Sequence, residues 1–514
     1  MSLAAIEAVL DRSGVASSIE MAMPAGGRPR QLPVRTLLVG IVLTLANHRP
    51  ALLSRVHAAL VGLSHLDKLR LGVIVVRRGR SHELTYRQVE YAFSVMVGIM
   101  DCARARTRCR SSLRVAGRDE LLSLLADEVL EATIPERFKT ATSSLAVDWT
   151  DHESFSRATR SGEGPRSDLE ATFGRRHGRA PGVKNEIFLG YYGQVATMVR
   201  ENGAAVIPEL VRRVELTPCS LDPPGAMVTV LSRMVKSGVP FGDVLVDSGY
   251  SIRKPERFAL PLRVLGASLV IDLHPEDRGE KGTHGGAVLC NGNLYCPATP
   301  PALFQIAPLP KGASDTDIAS HDERCAELAR YKLGVVSSND SDGHHRVGCP
   351  AVLGKLRCPL RPGSLSLSHS RPTVLSPPEG ELPTCCTQQT ITVPPSVNAK
   401  TRQRHDYPSP AHRSSYGRRT ASERSFATAK DPAGTGMRRG WCRLMGRAKN
   451  KVMYALAFVA DNLALLAAFE AKEKDSEHRA AAGLPPRARR RRRKTLAEIA
   501  GTDDEQKTAV ATTG

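Results

Sequence analysis

The sequence predicts an α/β protein: a mixed sheet with flanking helices, preceded by a helical N-terminal region and interrupted by a Cys-rich insertion. Three observations predict it. Between residues 141 and 275, short apolar runs, turns and helical patterns follow in the order β, β, β, α, β, α, β. Residues 1–140 and 438–474 instead carry apolar side chains at helical spacing. Residues 276–412 are rich in Cys, Pro, Ser and Gly, with few helical patterns.

The elements follow in order. Residues 35–63 read as helix broken near Pro50, and LTYRQVEYAFSVMVGIMD (84–101) as an amphipathic helix. Arg104, Arg106, Arg108, Arg110 and Arg114 follow; a DNA-binding region and a plain helical domain look alike here. SSLAVDWTD (143–151) reads as a buried strand ending in acids. A Gly- and Arg-rich loop spans Arg157 to Lys184. IFLGYYGQVATMV (187–199) and AVIPELVRRVEL (205–216) read as paired strands, PGAMVTVLSRMVKSG (224–238) as a helix and DVLVDSGYS (243–251) as a strand. RKPERFALPLRVLG (253–266) reads as a helix and SLVIDLHP (268–275) as the last strand of this block. After the insertion come YGRRTASERSFATAK (416–430) and a long helical pattern over 438–474. The basic tail has almost nothing to bury and reads as disordered. The predicted divisions are 1–140, 141–275, 276–412, 413–474 and 475–514.

The chain has 514 residues, enough for two to four domains, and 41% are hydrophobic. Aromatics make up only 4%, so the cores must be mainly aliphatic. A net charge of +20 and a pI near 9.7 favour a polyanionic partner, nucleic acid before an anionic membrane surface. The apolar run TLLVGIVLTLA (36–46) is short of the ~20 residues a membrane span needs. Glu7 and Asp11 near the start are unlike a secretory signal. No membrane partner and a cytoplasmic, nucleoid-associated location are therefore expected. The cysteines cluster between Cys290 and Cys386; their odd total, eleven, points to reduced thiols and a metal rather than a disulfide framework.

Asp148 and Asp247 stand at the carboxyl ends of apolar strands, where α/β sheets place their sites. With Glu423 they would make an oxygen-only site suited to Mg²⁺ or Mn²⁺. Two such ions about 3.5–4 Å apart assist in-line phosphoryl displacement. Asp151, three residues after Asp148, is the alternative first acid. Tyr416, Arg419, Glu423 and Lys430 are spaced +3, +4 and +7, so on a helix they share one side. The three partners of Glu423 can contact phosphates without reading bases. Phe426 can pack on the sheet or beside a base. The plain alternative is a surface helix with an Arg419–Glu423 pair contributing ~0.2–0.5 kcal/mol.

In the insertion, Cys290, Cys296, Cys349 and Cys358 are candidate ligands of a structural zinc, with buried free thiols as the alternative. His344 and His345 are further candidates. The Arg run 489–493 with Lys494 would bind phosphates nonspecifically, with strong salt dependence.

Y-x2-R-x3-E-x6-K, matched at Tyr416, Arg419, Glu423 and Lys430, resembles the signature of DDE-type bacterial insertion-sequence transposases. LAVDWTD resembles that family's first catalytic strand and LVDSGYS its second. FLGYYGQVATMVRENGAAVIPELVRRVELTP resembles the paired strands between them. The likeness covers roughly 141–275 and 413–470. It implies an RNase H-like core, two divalent ions, nicking at element ends and attack of the freed 3′-OH on target DNA. It implies Asp148, Asp247 and Glu423 as metal-binding acids, and Tyr416, Arg419 and Lys430 as contacts to double-stranded DNA near the cut. A dimer holding two ends is implied with them. A DNA-binding protein that no longer cuts, and a nuclease without strand transfer, are the rival readings.

Overall fold

A computed structural model describes residues 1–24, 31–77, 80–103, 112–157, 167–176, 186–310, 312–340 and 343–487. Arg104, Arg106, Arg108 and Arg110, most of the 157–184 loop and the Arg run 489–493 with Lys494 lie outside the described residues, as does the side chain of Arg114. Packing divides the chain into Met1–Leu465 and Leu466–Gly514.

The N-terminal region is helical, as its periodicity predicts. Val34–Ala46 and Leu53–Val61 flank the break at Pro50. Ten of the thirteen residues of Val34–Ala46 are buried. Gly40 lets the next helix approach: a Cβ there would stand 2.8 Å from Leu60 Cγ. Leu3–Ser13, Val15–Ala22, Tyr86–Gly98 and Ser112–Glu131 share a core with them. A small antiparallel hairpin, β1 (Ile74–Arg77) and β2 (Arg80–Glu83), escaped the sequence reading. Every residue of β2 is exposed, so it shows no apolar alternation.

The mixed sheet contains β3 (Leu145–Glu153), β4 (Thr172–Arg176), β5 (Glu186–Met198), β6 (Val211–Pro218), β7 (Asp243–Val246) and β8 (Ser268–Ile271). Its order is β4-β5-β3-β7-β8, with β6 also paired to β5. β3 is antiparallel to β5 and parallel to β7, and β7 is parallel to β8. β4 and β6 divide the remaining edge of β5: Glu186–Gly190 pairs with β4, and Tyr191–Thr197 with β6. The apolar runs of β3, β7 and β8 are buried, which is why they read as continuous rather than alternating. Pro223–Lys236 is the predicted helix. The helix expected over 253–266 is instead a short 3₁₀ turn, Pro255–Arg257, then Ala259–Val264.

One apolar core joins the N-terminal helices, Val195, Val211 and Val214 of the sheet, and residues 448–460 of the helix Arg447–Ala481. That helix is long and apolar enough to cross a membrane, and two-thirds of its most apolar stretch is buried inside the protein. It exceeds the 36–46 run in apolar length because small Ala residues extend it between larger ones.

Asp461 on this helix is buried and accepts a hydrogen bond from Thr435 Oγ1 at 3.2 Å. Burial pushes its carboxyl up to about 7. The folded chain thus retains a proton that the unfolded chain loses near pH 4, so this group lowers stability as pH rises from about 4 to 7. Asp461→Asn is expected to stabilise the protein by roughly 2–4 kcal/mol at pH 8 and little at pH 4, at ~1.4 kcal/mol per pKa unit. Thermal melts at the two pH values check this.

The insertion forms two small antiparallel sheets, β9 (Glu280–His284) with β10 (Ala287–Cys290) and β11 (Asn293–Tyr295), and β12 (Gly334–Val335) with β13 (His345–Gly348) and β14 (Thr390–Val393). The helix Asp315–Tyr331 packs on the first of them through Cys325, Leu328 and Tyr331, and the short helix Thr384–Thr387 lies against β14.

Candidate active site

Asp148 and Asp247 come together because their strands run parallel and in register. Ala146 pairs with Leu245, and each acid lies two residues beyond that pair. Asp148 continues β3 opposite Val195 of β5. Asp247 follows the last residue of β7 and caps the short helix Ser248–Ser251, its Oδ1 accepting from Gly249 N–H at 3.0 Å. The Trp149 ring packs on Tyr250 with centroids 4.4 Å apart, and Tyr250 on Phe258 at 5.0 Å. The buried Tyr250 hydroxyl has no hydrogen-bond partner among the described residues and lies within the fields of Asp148 and Asp247.

Gly249 is required by space. A Cβ would stand 3.0 Å from both Asp247 Oδ1 and the Trp149 ring. Gly249→Ala is expected to cost about 1–3 kcal/mol through overpacking. Denaturant unfolding, with Trp149 fluorescence as the probe, measures it.

Glu423 arrives on Thr420–Lys430, which packs across β3 and β5. The stretch expected to form one helix from Tyr416 onward is jointed: Pro410–Tyr416 ends, Gly417–Arg419 forms a 3₁₀ turn, and the second helix begins. Ala421 is buried with Ala146, Leu245 and Val270. Ser425 Oγ meets Thr197 Oγ1 at 3.2 Å. Phe426 is buried in the main core, so of its two readings it takes the sheet-packing one. Arg418 pins the joint by donating to Asp243 Oδ2 and to the Arg200 carbonyl, both at 2.9 Å.

Arg419 links the acids. One guanidinium nitrogen is 3.1 Å from Asp148 Oδ2, and another donates to Glu423 Oε1. Its face lies over the Tyr416 ring at 5.6 Å, and its Nε is buried with no hydrogen-bond partner among the described residues. Burial, then the charge of Asp247, pushes Asp148 up to about 7 against the pull of Arg419. Burial raises Asp247 as well, again opposed by Arg419. Glu423 stays half exposed. Tyr416 stacks on His412 with centroids 5.6 Å apart, and His412 Nε2 bonds to the Ile271 carbonyl at 2.9 Å.

Lys430 donates to Thr150 Oγ1 at 2.7 Å and Asp151 Oδ1 at 3.0 Å. Arg176 reaches Asp151 Oδ2 at 2.6 Å. Burial works to raise Asp151, but Arg176 and Lys430 hold it below its ordinary value. Asp151 is thus neutralised by two side-chain cations, while Asp148 faces Asp247. β3 runs on through Asp151 to Glu153, so Asp148 lies within the strand rather than at its carboxyl end.

The four candidate zinc ligands, Cys290, Cys296, Cys349 and Cys358, are buried free thiols within one apolar cluster. Among the described residues, no three His, Cys, Asp or Glu side chains form a group that could hold a metal ion as it stands. In the acid site, the guanidinium of Arg419 stands between Asp148 and Glu423. Trp149, Tyr250 and Arg418 were not singled out by the sequence reading; the aromatic after Gly249 was the only signal for Tyr250. No family model matches the chain, and no curated protein matches it.

Proposed function

We propose that the chain is a DDE-type transposase of an insertion sequence, acting on double-stranded DNA with Mg²⁺ or Mn²⁺. The observation that carries this reading is the union of Asp148, Asp247 and Glu423 around Arg419, within the Y-x2-R-x3-E-x6-K pattern. The sheet supports it. Apart from β4, which shares one edge of β5 with β6, three antiparallel strands, β3, β5 and β6, precede two strands parallel to β3, β7 and β8, in the spatial order third, second, first, fourth, fifth. An RNase H-like core has that order.

The acids have the chemistry divalent ions need: they offer oxygen donors only, and Asp148 and Asp247 are partly buried, with Arg419 now standing where an ion would have to enter between Asp148 and Glu423. Asp148, Asp247 and Glu423 would hold the ions. Bound there, they would activate the attacking oxygen and neutralise charge on the leaving one.

The chain's own residues do the rest. Asp148 must give up the proton its burial favours, and Arg419 must release its oxygen. A DNA phosphate offers Arg419 a replacement anion, so substrate binding and opening of the acid site are linked. Tyr416 and Lys430 flank the same side and position the backbone without reading bases. Trp149, next to Asp148, stacks on Tyr250, three residues after Asp247, and Tyr250 on Phe258, which braces the two segments that carry the aspartates. Two elements' ends must be held for joining, so the active species is a dimer on DNA in the bacterial nucleoid.

The test is a cleavage and joining assay on DNA carrying the flanking ends of the protein's own gene. Mg²⁺-dependent nicks at the ends followed by joined products are expected. Nicks without joining would make the chain a nuclease, and end binding without nicks a DNA-binding protein.

A further inference from the structure

The last residues of the insertion return along the open edge of the mixed sheet. β8 lies at that edge, beside β7 alone. Ile271 N–H donates to Gln403 Oε1 at 2.9 Å, and Arg404 N–H to the Leu269 carbonyl at 2.8 Å. His412 Nε2 faces the Ile271 carbonyl at 2.9 Å and so carries its hydrogen. The returning chain thus covers backbone groups that an edge strand leaves unpaired.

A third aspartate stands at the same edge. Ala146 pairs with Leu245, and Val246 with Ile271. Asp148, Asp247 and Asp272 therefore occupy one level on three neighbouring parallel strands and leave the sheet on one face. Asp272 is engaged by the insertion. Its Oδ1 accepts from the Tyr407 hydroxyl at 3.1 Å and from Arg278 at 3.2 Å. Arg278 also lies over the Tyr407 ring at 5.6 Å and donates to the Leu273 carbonyl at 2.8 Å.

From Tyr407 a stack of rings leads to the acids. Tyr407 meets His412 edge to face, with centroids 4.9 Å apart. His412 lies nearly flat on Tyr416 at 5.6 Å, and the Arg419 guanidinium lies over Tyr416 at 5.6 Å. Arg419 in turn spans Asp148 and Glu423. Tyr407 and His412 are both buried, and both belong to the insertion. The core supplies the two ends of the stack and the insertion its middle. Packing matters here because the backbone is jointed at Gly417–Arg419, so no continuous helix fixes Arg419 relative to Tyr416. Aromatic pairs and a cation over a ring set that orientation instead. The insertion also grips the next residue of the same helix: Arg413 donates to both carboxylate oxygens of Asp322, on Asp315–Tyr331, at 3.0 and 3.1 Å.

We propose that His412 is a positioning residue for Arg419: wedged between Tyr407 and Tyr416, its ring seats Tyr416 beneath the guanidinium and so holds Arg419 across Asp148 and Glu423 in the DNA-free protein. Asp272, through the Tyr407 hydroxyl, anchors the far end of the stack. The insertion is thereby part of the support of the acid site. The seating of Arg419 concerns the resting protein alone; its consequence for cleavage rests on the transposase reading. On that reading the stack sets where the guanidinium stands when a DNA phosphate arrives. Loosening it slows cleavage more than it weakens DNA binding.

The test labels the full chain, without DNA, with phenylglyoxal and reads each arginine by peptide mass spectrometry. Arg419, with its side chain 14% exposed, is expected to react slowly beside Arg424, at 56%. His412→Ala and Tyr407→Leu should each raise the Arg419 rate about fivefold or more, with Arg424 and the buried Arg212 unchanged. His412→Phe keeps the ring but not the bond to Ile271, and should stay within about twofold of the unsubstituted chain. Reaction at Arg212 would mark an unfolded variant, and the other substitution then decides. An Arg419 rate unchanged in the folded variants, or raised as much by His412→Phe as by His412→Ala, would overturn the proposal. On DNA with Mg²⁺, His412→Ala should lower kcat about tenfold or more with DNA affinity nearly unchanged, and His412→Phe should restore most of it. An unsubstituted chain that does not cut would count against the transposase reading and leave the labelling result standing.

Discussion

Asp247→Asn is expected to lower the rate of Mg²⁺-dependent DNA cleavage by at least about 10³-fold, equivalent to ~4 kcal/mol of transition-state stabilisation. Asp148→Asn and Glu423→Gln are expected to do the same. The three losses should not add in double variants, because the acids act as one unit. Binding of DNA, measured by gel shift without metal, should persist in all three, since each change removes negative charge from the surface that meets phosphates. Folding should persist too. Burial already disfavours charge on Asp148 and Asp247, so Asn at either position leaves the melting midpoint of the metal-free protein unlowered. Asp151→Asn is the informative neighbour. Its carboxylate is held by Lys430 and Arg176, so its loss should mainly free those cations and leave cleavage within about tenfold of the unsubstituted rate.

The second large effect is on stability. Lys451, fully buried on the long C-terminal helix, donates to Glu215 of β6 at 2.8 Å and to Ser123 Oγ at 3.3 Å. Arg447 reaches Glu215 at 3.2 Å and Asp119 at 2.6 Å. This network ties an N-terminal helix, the sheet and the C-terminal helix at one point. Burial opposes charge on Glu215, yet Lys451 and Arg447 hold its carboxyl down to about 2. Lys451→Met strands a buried carboxylate on Arg447 alone and is expected to cost roughly 3–5 kcal/mol. Adding Glu215→Gln should recover much of that loss, a coupling that a denaturant double-mutant cycle reads directly. Because the folded value of Glu215 lies below its unfolded one, its contribution is present above about pH 4.5 and is lost as pH falls toward 2. The Glu215→Gln, Lys451→Met pair should therefore flatten the acid limb of the stability profile.

The strands β3, β7 and β8 were legible because their apolar runs are continuous and buried: LAV, VLV and LVI need no partner to be recognised as strands. β4 was not. Its TFGRR lies in a Gly- and Arg-rich stretch with one buried residue, so pairing with β5 rather than apolar pattern makes it a strand. The site divides in the same way. The i,i+4 contact of Arg419 with Glu423 follows from helical spacing, whereas its contact with Asp148 crosses 271 residues and depends on how the sheet meets the helix. The joint at Gly417–Arg419 was hidden because a 3₁₀ turn keeps nearly the same side-chain stripe as a continuous helix.

The measurement that bears most directly on the acid site is Mn²⁺ binding by the protein–DNA complex, followed by electron paramagnetic resonance with DNA carrying the gene's own ends. Two ions bound per active site, with binding lost in Asp148→Asn and Glu423→Gln while DNA stays bound, is the predicted result. Mn²⁺ binding that is absent, or unchanged when all three acids are replaced, would contradict it and leave Arg419 as the permanent counter-ion of Asp148 and Glu423.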